Sequence, residues 1–387
     1  MKQQKVTRNG GYDVPLHQNM TRREGLTTMA TLAGIGGLLG LTKMATAADP
    51  STSGVLPEPQ DSTARTRPII IAHRGASGYL PEHTLEAKAM AHAMRADYIE
   101  QDVVLTKDDV PVILHDVHLD TVTDVATRFS DKKRDDGRYY AIDLTLAEIK
   151  TLKVTERIDL KTGKAVFPQR FPIGKSDFSV PTLVEELELI QGLNRSTGRD
   201  VGVYVEIKAP AWHRTEGKEI SDIVLDVLKD YGYKNRADTC FLQCFEADEC
   251  RRIRHDLKSD LKLLLLMDTP TWTKLDVAAQ PQAIAKDLAE VARFADGIGP
   301  ALDDVVTGRG VDGNWQITPL VELAHRYHLA VHPYTMRRDQ LPTHFPTHDV
   351  AMQVLVHQAH VDGLFCDFPD LGVNFIDRDP RFGNQQK

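Results

Sequence analysis

Two carboxylates, Glu100 and Asp102, stand two residues apart in the apolar run YIEQDVVL, and a third, Glu206, lies near the end of the run VGVYVEI. In an extended strand, residues i and i+2 project to one face, so Glu100 and Asp102 point the same way. Three carboxylates gathered in one place repel each other unless a cation lies between them. Hard oxygen donors of this kind suit Ca²⁺ or Mg²⁺. His73 and His115 each close an apolar run of their own. Beside a metal they would serve as a general acid–base pair, or one of them as a ligand. Arg74 and Lys208 adjoin the same residues. A guanidinium and an ammonium in an acidic mouth imply an anionic substrate group, most simply a phosphate. Together the set fits phosphoryl transfer or phosphodiester cleavage, with one histidine taking a proton from the nucleophile and the other giving one to the leaving oxygen. His83, His92, His325, His328 and His360 fall in segments of helical pattern and receive no catalytic role.

The elements that must position these residues are short apolar runs alternating with helical patterns. Strands are predicted over 69–72, 98–105, 110–115, 201–207, 240–245, 261–267, 297–299, 329–333 and 363–368. Helices are predicted over 83–95, 219–231, from 247, and over 283–294, 320–328 and 349–360. Such alternation predicts an α/β fold with a parallel sheet and helices outside it. About eight units in roughly 310 residues fit a closed (β/α)₈ TIM barrel better than an open doubly wound sheet. The 98–105 and 110–115 runs lie too close for a helical crossover and so form a hairpin. A turn centred on Lys107-Asp108 would place His115 opposite Glu100. Barrel active sites lie at the C-terminal ends of the strands. His73, Arg74, Glu100, Asp102, His115, Glu206, Lys208, Gln243, His332, Tyr334 and Asp367 all fall at such ends. Residues 117–180 break the alternation and read as a small insertion after an early strand, a candidate lid or substrate wall.

Composition narrows the class further. The chain has 387 residues and a formal net charge of -8, which excludes general nucleic-acid binding through basic patches. Its four cysteines fit no zinc ribbon. They read as unpaired and buried, with a disulfide from Cys366 as the alternative. Residues 1–47 read as an export signal, twin-arginine type first, with an ordinary signal peptide or an uncleaved anchor as the alternatives: Thr21-Arg22-Arg23, a Gly-rich apolar run over 26–41, and Ala45-Thr46-Ala47 at the cleavage site. That run is too short and too Gly-rich to span a membrane, so no stable membrane insertion is expected after cleavage. Residues 48–66, rich in Pro, Ser and Thr, read as a mature tail, and 67–387 as one catalytic barrel domain. The sequence sets no oligomeric state.

The segment HRGASGYLPEHT at 73–84 resembles the opening motif of the glycerophosphodiester phosphodiesterases. EQD at 100–102, LHD at 114–116, EIK at 206–208, LQCF at 242–245 and DGLFCDFPD at 362–370 follow in the order that family shows. The GRYYAIDLTLAEIK and GKSDF stretches of the insertion are similar to those of the periplasmic bacterial branch. The resemblance implies a periplasmic barrel enzyme with a divalent cation, calcium ahead of magnesium, held by Glu100, Asp102 and Glu206. It implies His73 and His115 as the catalytic pair and Arg74 and Lys208 as phosphate ligands. Glu82, His83 and Gln243 are expected to support or line the site. Many members carry asparagine where His83 stands. The implied partner is a small-molecule glycerophosphodiester, such as glycerophosphocholine or glycerophosphoethanolamine, cleaved to sn-glycerol 3-phosphate and an alcohol. Phe167, Phe171 and Phe178 are candidates for contacting the glycerol moiety. Trp212, Trp272 and Trp315 could line the pocket, with packing the expected role for at least two.

Overall fold

A computed structural model describes residues 67–267 and 280–382. The export reading and Trp272 fall outside the described residues. The strands are β1 (Ile69–Ala72), β2 (Tyr98–Leu105), β3 (Pro111–Ile113), β4 (Gly202–Ile207), β5 (Cys240–Cys244), β6 (Lys262–Leu266), β7 (Gly297–Gly299), β8 (Val306–Arg309), β9 (Trp315–Ile317), β10 (Ala330–Val331) and β11 (Gly363–Cys366). Eight of them run in the order β10-β7-β6-β5-β4-β2-β1-β11, and every neighbouring pair is parallel. The two ends of that sheet meet through backbone bonds: Asp362 N–H donates to the Val331 carbonyl and Phe365 N–H to the Pro333 carbonyl. The result is a nearly closed parallel barrel wrapped in helices, as the alternation predicts.

Local signals explain the flanking helices. The helix Leu85–Ala93 starts at Thr84, whose side chain accepts from Ala87 N–H. The helix Leu183–Thr197 opens on a reciprocal capping box of Thr182 and Glu185 and ends at Gly198 in the left-handed region. The outward faces of the strands pack on these helices. Inside the barrel Ile71, Tyr204, Leu264 and Phe365 form a small apolar plug. Tyr204 and Glu206 share a face of β4, so the polar cluster lies just above that plug.

The hairpin departs from its predicted register. Val103 faces Ile113 and Leu105 faces Pro111, one step from the pairing that would set His115 against Glu100. The reason lies in the turn. Thr106 N–H donates to the Val110 carbonyl, leaving a three-residue loop in which Asp109 takes a φ of 62°. Three-residue hairpin loops use such a left-handed residue, and the odd loop length shifts the register by one. β3 ends at Ile113, so His115 reaches the mouth from an unpaired segment.

Residues 117–180 carry an apolar cluster of their own, including Leu119, Val125, Leu144, Ile149 and Phe178, which also takes in Val104, Val112 and Leu114 of the hairpin. Phe171 packs edge-on against Phe178, and Phe167 lies under the Arg170 guanidinium. Phe171 and Phe178 therefore pack within the insertion, Phe167 meets Arg170, and none of the three lines the cavity described below, contrary to the expectation for them. Trp212 stacks on Tyr140 and Trp315 tilts against Phe345, so both pack. All four cysteines are free and buried. The short β8–β9 ribbon and the helix Pro369–Arg378 were not predicted.

Glu156 in the insertion is buried, with Oε2 lacking a hydrogen-bond partner. Burial, helped by the charge of Glu82, pushes its carboxyl up to about 8. An unfolded glutamate titrates near 4.3, so the folded state binds this proton more tightly. Stability from this group is present below that value and is lost as pH rises through about 8. Glu156→Gln should therefore raise the melting temperature by on the order of 2 °C at about pH 9 and leave it unchanged at about pH 4. Thermal melts across pH check this; an equal shift at both ends would sink it.

Candidate active site

The carboxylates converge because the sheet register aligns them. Asp102 on β2 faces Glu206 on β4, and Glu206 faces Gln243 on β5. Glu100 lies two residues earlier on the same face as Asp102. One oxygen from each of Glu100, Asp102 and Glu206 lies within 4.8 Å of the others, and all three residues are buried. Gln243 Nε2 donates to Glu100 Oε1 at 2.9 Å and Arg74 N–H to Glu100 Oε2 at 2.9 Å. Asp102 Oδ1 has no hydrogen-bond partner.

The three carboxylates crowd one another electrostatically. Burial, then the charges of Asp102 and Glu206, push the Glu100 carboxyl well up. Burial also pushes Glu206 up to about 8, against the pull of Lys208, whose Nζ lies 2.7 Å from Glu206 Oε1. Asp102 is held low: burial opposes its charge, but Lys208 and the His83 hydrogen bond outweigh that. Three buried carboxylates, with Asp102 Oδ1 left unpartnered, could hold a hard divalent ion.

His73 ends β1. Its Nδ1 lies 2.5 Å from Asp367 Oδ1, and its Nε2 lies 3.8 Å from Glu100 Oε2. His115 Nδ1 lies 2.6 Å from Asp116 Oδ1. Burial and the charge of Arg74 lower both imidazoles to about 4, with Lys208 adding to the effect at His115. Both rings are thus neutral near pH 7 and able to accept a proton.

The chain turns sharply after β1, with Arg74 at φ 57° and Gly75 at φ 84°. A Cβ on Gly75 would come within 2.9 Å of the Ala87 carbonyl carbon, so only glycine lets the loop lie on that helix. This turn aims Arg74 across the mouth, where Glu82 Oε2 accepts from its NH1 at 3.0 Å. His73, Arg74, Glu100, His115, Glu206 and Gln243 line one cavity of about 200 Å³ with Phe245, Tyr334 and Arg337. Asp102 lies behind it and Lys208 beside Glu206. All nine residues singled out from the sequence meet here, Glu82 through Arg74.

His83 supports the site from behind, as expected, but does not sit in a helix: it precedes one at φ 62°, and its Nε2 lies 2.7 Å from Asp102 Oδ2. Other neighbours escaped the sequence reading. Buried Lys88 lies 3.1 Å from His83 Nδ1 and 3.1 Å from Glu186 Oε2. Lys88 shares the buried face of its helix with Ala87 and Ala91, and a lysine in that apolar stripe was the available signal. Asp367 stood at a strand end, but nothing in the sequence tied it to His73. Arg157 and Arg170 lie in the insertion, where no periodicity marks them.

A parallel barrel whose mouth carries an acidic triad, two histidines and two cations has the makings of a phosphodiester hydrolase. Residues 73–371 match the glycerophosphoryl diester phosphodiesterase family, and the chain belongs to it. It is 45% identical over 329 residues to a glycerophosphodiester phosphodiesterase of Haemophilus influenzae, covering 80% of this chain and 89% of that one. It is 34% identical over 331 residues to the Treponema pallidum enzyme of the same name, covering 81% and 93%. Its fold is similar to that of an Oleispira antarctica phosphodiesterase solved with the product sn-glycerol-3-phosphate: the TM-score is 0.53, identity 20%, and coverage 80% and 97%.

Proposed function

We propose that this chain hydrolyses glycerophosphodiesters, such as glycerophosphocholine and glycerophosphoethanolamine, to sn-glycerol 3-phosphate and an alcohol. The observation that carries the reading is the pair of neutral histidines facing one cavity over the triad of Glu100, Asp102 and Glu206. Family membership and the names of the relatives support the reaction class.

The triad would hold one divalent cation, calcium first and magnesium second, which as a Lewis acid would neutralise charge on the phosphate. Arg74 and Lys208 bind the phosphate oxygens from the cationic side. Gln243 and the Arg74 N–H hold Glu100 in place. One histidine takes the proton of the attacking hydroxyl at Nε2; the other gives a proton to the departing alkoxide. A ring lowered to about 4 holds almost no proton near pH 7, so the histidine that donates must gain one as the anionic phosphate enters. That charge offsets Arg74 and raises the proton affinity of the imidazole when a donor is needed.

The test is glycerol 3-phosphate release from glycerophosphocholine, with and without EDTA, then with Ca²⁺ or Mg²⁺ restored. Release that EDTA abolishes and one ion restores is the expected result. No release under any metal overturns the reading. The nucleophile is water or the neighbouring glycerol hydroxyl, which would first form a cyclic phosphate. On the cyclic route a substrate lacking that hydroxyl should be cleaved at least about 100-fold more slowly, because the intramolecular nucleophile is gone. Equal rates for the two substrates would exclude the cyclic route.

We also propose export to the periplasm through the 1–47 segment, on the strength of Arg22-Arg23 and the apolar run after them. Among the described residues no helix is long and apolar enough to cross a membrane. Mass spectrometry of the secreted chain should find a new N-terminus near Ala48; an intact Met1 in the cytosolic fraction would rule the proposal out.

A further inference from the structure

We propose that the insertion orients both proton-transfer histidines: Arg170 acts through Asp367 on His73, and Arg157 acts through Asp116 on His115. The inference rests on the diesterase reading above and gives the insertion a task other than that of a substrate wall.

Each histidine presents the same arrangement. Asp367 takes His73 Nδ1 on Oδ1 at 2.5 Å, and its Oδ2 accepts from Arg170 at 2.7 Å and from Arg337 at 3.1 Å. Asp116 takes His115 Nδ1 on Oδ1 at 2.6 Å, and its Oδ2 accepts from Arg157 NH1 at 2.6 Å. An Nδ1–H donated to a carboxylate fixes the tautomer and leaves Nε2 as the acceptor. A donor on the second oxygen fixes the plane of the carboxylate and with it the ring that the first oxygen holds.

The two arginines are themselves fixed. The side chain of Arg170 is 4% exposed; it lies over Phe167 at 3.6 Å and forks onto Asp339 at 2.8 and 2.9 Å. Arg157 forks onto Glu82 at 3.0 and 2.6 Å, and Glu82 also takes Arg74. Arg157 therefore bears on the phosphate-side arginine as well as on His115. Neither arginine lines the cavity; each spends its guanidinium on carboxylates, Arg170 on Asp367 and Asp339 and Arg157 on Asp116 and Glu82. Residues 157 and 170 bracket a single turn closed by the Ile158–Ala165 bridge. One short segment thus reaches the partners of two histidines that come from different strands.

Plain ion pairs stapling the insertion to the barrel would look similar in outline, so the test must separate stapling from orientation. Arg170→Ala and Arg157→Ala are compared with Arg138→Ala, which removes an insertion ion pair to Asp120 that touches no site residue. Kinetics on glycerophosphocholine should show kcat lowered ~10–100-fold in the first two, with KM within about threefold of wild type. Added guanidinium should restore part of that kcat. Arg138→Ala should keep kcat within about twofold whatever its melting temperature. ¹⁵N NMR of the imidazoles should show Nδ1-protonated His73 and His115 in the wild type. Mixed tautomers should appear at His73 in Arg170→Ala and at His115 in Arg157→Ala. If Arg170→Ala does not fold, Arg170→Lys carries the same measurements, since it keeps the charge and loses the fork. Unchanged tautomers, or kcat values matching Arg138→Ala, overturn the proposal. A wild type inactive on every glycerophosphodiester would defeat the diesterase reading instead, and the tautomers alone would then decide the role of the insertion.

Discussion

Alanine at His73 should lower glycerol 3-phosphate release about 10³-fold, and alanine at His115 should match it within about tenfold. The first loss corresponds to about 4 kcal/mol of transition-state stabilisation, the scale expected of a positioned acid or base. His73 is set to act on protons and not to bind. Its Nδ1 is committed to Asp367, and its ring is already neutral at working pH. Removing it leaves Arg74, Lys208 and the triad to hold the phosphate, so KM should change little while kcat falls. Asp367 keeps Arg170 and Arg337 as partners, so the fold should survive. The double variant is the sharper measurement. Groups that act in one proton-transfer cycle are not additive, because losing either already forces the slow route. The double variant should therefore run close to the slower single one. Losses that multiply to about 10⁶ would show two independent contributions, and a loss below about tenfold would remove His73 from the chemistry.

How much of this was legible before the structure depends on the kind of signal each residue carries. Glu100, Asp102, Glu206 and Gln243 could be read because each lies in a buried apolar run, and a parallel barrel gathers the ends of such runs at one mouth. The barrel itself followed from alternation, which is a local property repeated along the chain. The hairpin register was missed by one step because it depended on Asp109 taking a left-handed conformation. That choice belongs to the loop and leaves no mark in hydrophobic periodicity. His83 was read as part of a helix and instead sits before one, against Asp102. The arginines of the insertion were invisible for a different reason. Arg157 and Arg170 matter through carboxylates 41 and 197 residues away in sequence, Asp116 and Asp367. Only the folded chain pairs them. The insertion's phenylalanines, by contrast, were legible as apolar residues but not as a separate core.

Glu206→Gln should destroy cation binding and at the same time stabilise the chelated protein in alkaline solution. The two effects share one cause. With no ion bound, burial and the neighbouring charges of Asp102 and Glu100 oppose ionisation, and the Glu206 carboxyl rises to about 8. The unfolded carboxyl titrates near 4.3, so the folded state holds the extra proton. Stability is then lost as pH rises from the unfolded value through about 8. A bound divalent ion reverses this, because it turns repulsion among the three carboxylates into attraction and displaces the proton. The melting temperatures of loaded and chelated wild type should therefore draw apart as pH rises. Glu156 is common to both forms and cancels from that difference. In Glu206→Gln the chelated protein should lose much of its alkaline decline, since an uncharged amide removes one of the three charges. Calorimetric titration should show Ca²⁺ and Mg²⁺ affinity reduced by more than the ~100-fold that loss of an outer partner costs. Restoring either ion should not restore glycerol 3-phosphate release. If the variant binds the ion as wild type does, the triad is not the metal site. If it binds nothing yet melts as the chelated wild type does at every pH, the three carboxylates do not carry the mutual repulsion on which the site is built.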